Sequence, residues 1–316
     1  MRRDHKSIPS SGLPFANGFL GSWHPQFQAG GPSVALDDPQ AAVTDASSAD
    51  DALAARYGAD RPGAILWNDT VAHLLAHRTV RAYRADPLPK DTIETLVAAA
   101  QSAASSSNLQ LWSVVAVTDA GKRSRLAEFA GGQKHIARAP LILLWIADLA
   151  RAKLIADDAG EPAEGFEFLE SFTVAAIDAG LAAQNAVIAA ESLGLGTVYI
   201  GALRNRPEDV AALIELPPRA AVVFGLVVGW PDETAPAAIK PRLPQAAVLH
   251  REVYRLETQR EPVAAYDETA RGFQVSQGQD AVGWRALLLN RGRSAASLNG
   301  RDRLKQALRG LGFALR

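Results

Sequence analysis

Four short segments hold the residues of this chain whose types could do chemistry together. His77-Arg78-Thr79-Val80-Arg81 and Lys240-Pro241-Arg242 are basic. Ser105-Ser106-Ser107-Asn108-Leu109-Gln110 is rich in hydroxyls and amides. Gly194-Leu195-Gly196-Thr197-Val198-Tyr199-Ile200-Gly201 is bounded by glycines, which let a backbone come close to a flat ligand. Guanidinium and ammonium groups supply the charge-assisted hydrogen bonds that a phosphate takes. A heteroaromatic ring takes hydrogen bonds along its polar rim and close backbone on one face. The combination suits a phosphorylated planar cofactor. Each segment alone also has a plainer reading. The first is a helix end that favours cations, the second a surface loop, and the serines a turn.

Other chemistries are poorly supported. The chain contains no cysteine. That removes disulfides, thiolate nucleophiles, iron–sulfur clusters and cysteine zinc sites. His73 and His77 stand four residues apart, but no glutamate lies between them and no third ligand is evident, so no metal site is expected. The glycines at 194 and 196 follow a helical pattern and precede a strand, the reverse of a dinucleotide fingerprint. There is no Gly-x-Ser-x-Gly elbow or P-loop. Asp157-Asp158 reads as solvated surface. The net charge of −1 offers no basic excess for nucleic acid or an anionic membrane. Arg2-Arg3 is not followed by a continuous apolar run, and the apolar region 172–201 carries Asp178, Gln184, Asn185 and Glu191. The expectation is a cytoplasmic protein with neither a nucleic-acid nor a membrane partner.

The elements that must position these residues can be read from the pattern. At 316 residues and 48% hydrophobic, the chain can bury a sizeable core in one large domain or two ordinary ones. Residues 1–50 are rich in Gly, Pro, Ser, Ala and Asp and read as a flexible extension. Residues 50–77 read as one or two helical pieces broken near Arg61-Pro62-Gly63. Asp91 is a candidate N-cap for a helix whose core stripe is Ile93, Leu96 and Val97. Strands are predicted at 112–117, 141–147, 198–200 and 222–230, with helices near 122–130, within 150–168 and from Pro207. Phe172–Leu193 is a long helix, apolar nearly all round, with Gly194 at its C-terminus. Beyond Tyr254 the sequence is charged and weakly periodic. Helices interleaved with three or four strands give an α/β or α+β class.

Taken together and in this order, the four segments closely resemble the oxygen-insensitive nitroreductase and flavin reductase family, from about Trp67 to Tyr254 and more faintly to the C-terminus. The resemblance implies an α+β sandwich with a mixed central sheet flanked by helices, wrapped as an intertwined homodimer. It implies a domain at 51–254 and a C-terminal helical excursion at 255–316. It also implies FMN as cofactor, with His77, Arg78 and Thr79 along the phosphate and ribityl side and Lys240 and Arg242 on the phosphate. Arg81 then lies at the pyrimidine rim, where a fixed cation favours the reduced flavin. Ser105, Ser106, Ser107 and Asn108 reach the flavin from the other subunit. Gln133, within Gly131-Gly132-Gln133-Lys134-His135, bonds its rim. Tyr199, Ile200 and Gly201 pack behind the ring. Leu111 departs from the family by replacing a proline, which bears on the rigidity of the serine loop.

No side chain is expected as acid, base or nucleophile, because the flavin carries the redox step. NADPH or NADH donates electrons, and nitroaromatics, quinones or free flavin accept them, in ping-pong order. The relatives' phosphate-binding arginine aligns with Gln277. Arg271, Arg285, Arg291 or Arg293 could take its place. Two other readings stand beside a broad reductase: a flavin reductase serving a monooxygenase, and a non-enzymatic flavin-binding protein.

Overall fold

A computed structural model describes residues 46–316 apart from Pro236. Of the expected extension, 1–45 lie outside the described residues, and the rest opens α1, Ala46–Tyr57. Then come α2 Asp69–Leu75, α3 Thr92–Gln101, β1 Trp112–Val117, α4 Ala120–Phe129, α5 Lys134–Arg138 and β2 Leu141–Asp148. After these follow α6 Ala150–Ala159, α7 Leu169–Ser192, β3 Gly196–Ile200, α8 Pro207–Leu213 and β4 Ala220–Gly229. The C-terminal part is helical, with α9 Gln245–Val248, α10 Arg260–Ser276, α11 Gly283–Gly292 and α12 Leu304–Gly310.

The four strands pair in the order β1-β2-β4-β3, each pair antiparallel. Parallel pairing is confined to an isolated bridge, Thr79 to Thr197, which lays the first basic segment along β3. β2 is buried at every position, because both faces of the sheet are covered. Its side chains alternate accordingly. Leu141, Leu143 and Trp145 pack with α3 and α7. Ile142, Leu144 and Ile146 pack with Leu126, Phe129, Ile136 and Val210 from α4, α5 and α8. A third cluster joins Leu111, Ala147 and Leu149 to Leu308 and Phe313 near the C-terminus.

α7 is long and apolar enough to cross a bilayer by length and composition, but here it lies on the sheet. Ala179, Ala182, Ala183, Ala186 and Ala190 face inward, and their short side chains let the helix come close to the strands. On another side Ile177 and Leu181 stay 55% and 45% exposed. The helix is therefore not buried all round within one chain. Gly194 follows it with φ +78, the left-handed conformation that ends helices.

Asp91 departs from its expected capping role. It occupies the N-cap position of α3 with φ 65, and its side chain makes no capping bond. The start of the helix is held instead by Thr92 Oγ1, which donates to Pro89 O at 2.7 Å.

Candidate functional site: a cation-lined cavity

The two basic segments meet although more than 150 residues of sequence separate them. His77, Arg78, Thr79 and Arg81 line one cavity of about 300 Å³ together with Lys240 and Arg242. Its wall also holds Arg56, Phe273, Gln277 and Gln279, and no carboxylate among the described residues lines it. Among the described residues Arg78, Arg81, Lys240 and Arg242 form no ion pair. Burial, with Arg81 and Arg242 beside it, holds the Lys240 ammonium below the usual lysine range.

The backbone around the cavity is fixed by contacts with β3. Val80 N donates to Thr197 O at 2.9 Å. A Cβ on Gly196 would stand 2.7 Å from Val80, so this glycine makes room for the basic segment and not for a ligand. Tyr83 Oη donates to Val80 O at 2.7 Å, and burial pushes its phenol pKa well up. His77 Nδ1 bonds the Glu191 carboxylate at 2.7 Å, and Thr197 Oγ1 donates to the same oxygen at 3.1 Å. His73 Nε2 donates to Ile188 O at 3.0 Å. Both imidazoles of the four-residue pair are thus tied to α7.

The remaining expected residues lie elsewhere. Gln133, Tyr199, Ile200 and Gly201 line a second cavity of about 630 Å³, with Asn205, Arg291, Asn299 and Arg301. Gln133 Nε2 donates to Ala130 O at 2.9 Å, so one of its donors is taken by its own backbone. Asn205 Oδ1, buried in that wall, has no hydrogen-bond partner among the described residues. Tyr199 stands edge-on to Phe224 with centroids 5.3 Å apart. A Cβ on Gly201 would meet Arg204 at 3.2 Å. Arg81 links the two regions electrostatically. Burial first, and Arg81 second, lower the pKa of His135, two residues after Gln133.

The serine loop lines neither cavity in this chain. It is built around Asp178 of α7, which is 1% exposed. Ser105 Oγ donates to Asp178 Oδ2 at 2.8 Å, and Ser106 N donates to Oδ1 at 3.1 Å. Ser107, Asn108 and Gln110 have positive φ, so the loop is tightly wound. Leu111, where the family pattern has proline, is 4% exposed and anchors the loop by burial.

Gln277 lies on the wall of the basic cavity, while Arg291 lies on that of the second. Arg271 is engaged by Asp267 at 3.0 Å, and Arg293 donates to Asn290 Oδ1 at 2.7 Å. Arg56 is the cavity residue that motif reading missed. Its one local signal is a cation three residues after the buried Leu53, on the inward side of α1.

Layers of this order around an anion-seeking cavity define a class, and sequence comparison gives the family. The sequence pattern described as "Nitroreductase family" matches residues 74–230, and "Nitroreductase family, C-terminal domain" matches 240–316. The NADPH-flavin oxidoreductase of Vibrio harveyi is 39% identical over 210 residues, 66% of this chain and 84% of that one. The NAD(P)H FMN reductase of Bacillus subtilis (strain 168) is 39% identical over 221 residues, 69% of this chain and 88% of the relative. The solved structure of B. megaterium NfrA2 superposes with a TM-score of 0.74 at 36% identity, covering 79% of this chain and 100% of the other. This chain belongs to the nitroreductase family and has its α+β fold.

Proposed function

We propose that this protein is an FMN-dependent NAD(P)H oxidoreductase that delivers electron pairs to nitroaromatic, quinone or related acceptors. The observation that carries the reading is the cavity in which Arg78, Arg81, Lys240 and Arg242, from two distant segments, converge with no carboxylate among the described residues on its wall. Such a wall fits a phosphate monoester: guanidinium and ammonium groups give strong bonds to its oxygens and offset its charge. Names borne by the relatives support the same reading.

When bound, FMN would supply the two-electron redox chemistry that links a nicotinamide donor to the acceptor. The chain's own part is position and field. Arg78, Lys240 and Arg242 hold the phosphate, with the Thr79 hydroxyl beside them. Arg81, whose charge is felt at His135 two residues after Gln133, sets a positive field at the edge of the ring system. Gln133, Tyr199, Ile200 and Gly201 flank the ring. The open second cavity admits donor and acceptor in turn, and Arg291 and Arg301 on its wall suit the additional phosphate of NADPH over NADH.

The working unit is a homodimer. The exposed Ile177 and Leu181 on α7 need a partner, and Ser105 to Asn108 serve the site of the second copy. Sedimentation of a flavin-loaded monomer would overturn this part.

An anaerobic titration tests the whole reading. The purified protein should be yellow, and NADPH or NADH should bleach it. Colour without bleaching would leave a flavin-binding protein, and no colour on adding FMN would remove the reading. Because relatives are named as FMN reductases, free FMN should be compared with a quinone as acceptor. Faster turnover of free FMN would assign the chain to flavin supply.

A further inference from the structure

We propose that Arg56, on a helix preceding the family match, is a positioning residue that locks the two phosphate-binding segments together. The proposal rests on the FMN reading. Arg56 is 4% exposed, whereas the cations it stands behind are exposed. Its guanidinium spans both segments. One nitrogen donates to Leu75 O and to His77 O, each at 2.6 Å, and the other donates to Lys240 O at 2.8 Å. Its own carbonyl accepts from Arg242 N at 2.9 Å. A single residue thus touches the backbone of three positions whose side chains line the cavity, and caps the carbonyl of Leu75 at the end of α2.

Two physical arguments favour a role beyond packing. The first is geometric. Leu75 O lies at the end of α2, where carbonyls lack partners within the helix, and His77 O follows just beyond it. A planar fork with five N–H donors can serve this end and the Lys240 carbonyl at once, while an ammonium concentrates its donors on one atom. The second is electrostatic. Arg56 pairs with no carboxylate among the described residues, although burying an uncompensated charge is costly. It lies on the cavity wall, where a bound phosphate would offset that cost. Tyr266 Oη donates to Pro241 O at 3.0 Å and braces the same turn from α10. The family pattern begins at residue 74, so α1 and its arginine lie ahead of the matched residues.

The test compares FMN with riboflavin, which lacks the phosphate, on the full-length apoprotein by fluorescence titration. Arg56→Ala should weaken FMN binding about tenfold, the effect of one strong hydrogen bond, while riboflavin binding changes by less than about twofold. Arg56→Lys should fall between, and it decides the matter if the alanine variant does not fold. In an Arg242→Ala background, Arg56→Ala should add little, because it acts through the same segment. Equal FMN affinity in wild type and variants would overturn the proposal, and so would a parallel loss for both ligands, which marks general structural damage. Wild-type protein that binds no FMN would instead overturn the functional reading beneath it.

Discussion

The basic cavity and the cleft beside α6 differ in a way that volume alone would misjudge. The cleft is the larger, about 610 Å³ against about 300 Å³, and is lined by Val115, Ile146, Leu154, Leu216 and prolines. Its charges are already spoken for. Asp148 accepts from Ser113 Oγ at 2.5 Å and from Arg151 N at 3.1 Å. Arg219 pairs with Glu167 at 2.5 Å, and Lys153 pairs with Asp157. The basic cavity is small, but among the described residues Arg78, Arg81, Lys240 and Arg242 on its wall pair with no carboxylate. Structural ion pairs satisfy themselves within the protein, whereas a site for an anion must leave its donors free. What distinguishes a binding site here is charge left over after folding.

That contrast can be attacked at several strengths. Arg242→Ala should lower FMN affinity by about ten- to a hundredfold, the worth of a charged hydrogen bond, with little change in the rate of enzyme that still holds FMN. Unchanged affinity on titration would remove Arg242 from the site. Arg291→Ala asks whether the second cavity also depends on free charge: KM for NADPH should rise about tenfold while KM for NADH stays level. Equal changes for both nucleotides would place the additional phosphate elsewhere. Arg81→Gln should retain FMN but make it harder to reduce, by about 30 mV for a lost interaction of about 1.4 kcal/mol. A spectroelectrochemical titration showing an equal or higher potential would move Arg81 away from the flavin rim. Arg219→Ala is the control from the cleft. It should leave FMN affinity within about twofold and lower the melting temperature by about 2–4 °C for each kcal/mol lost. An FMN effect as large as that of Arg242→Ala would dissolve the distinction between the two regions.

Legibility in the sequence followed the range of the interactions. Strand 112–117 and the helix from Pro207 were readable because local pattern and chain chemistry agree there. The four segments were also visible, since clustered Arg, Lys and Ser are rare enough to be noticed. Their grouping was not fully readable. Gly196 stands in the glycine-bounded segment, but it accommodates Val80, a packing relation that no spacing reveals. Asp91 has a capping residue's identity, but left-handed backbone turns its side chain away from that task. Asp178, taken as a polar interruption of an apolar helix, organises the serine loop 70 residues earlier, and only the fold brings them together. Arg56 was hidden for the same reason. Its partners are main-chain carbonyls, and these leave no mark on the residues that carry them.

The leftover charge also reaches beyond binding. On the proposed reading, Lys240 feels the like charges of Arg81 and Arg242 until FMN binds, and the unfolded chain relieves that repulsion. Cofactor occupancy then contributes directly to folding, by about 2.7 kcal/mol when FMN stands at a hundred times its dissociation constant. In a cell, such a margin sets how much chain escapes proteolysis. A shortage of flavin would lower the amount of this protein, and not only the fraction that works.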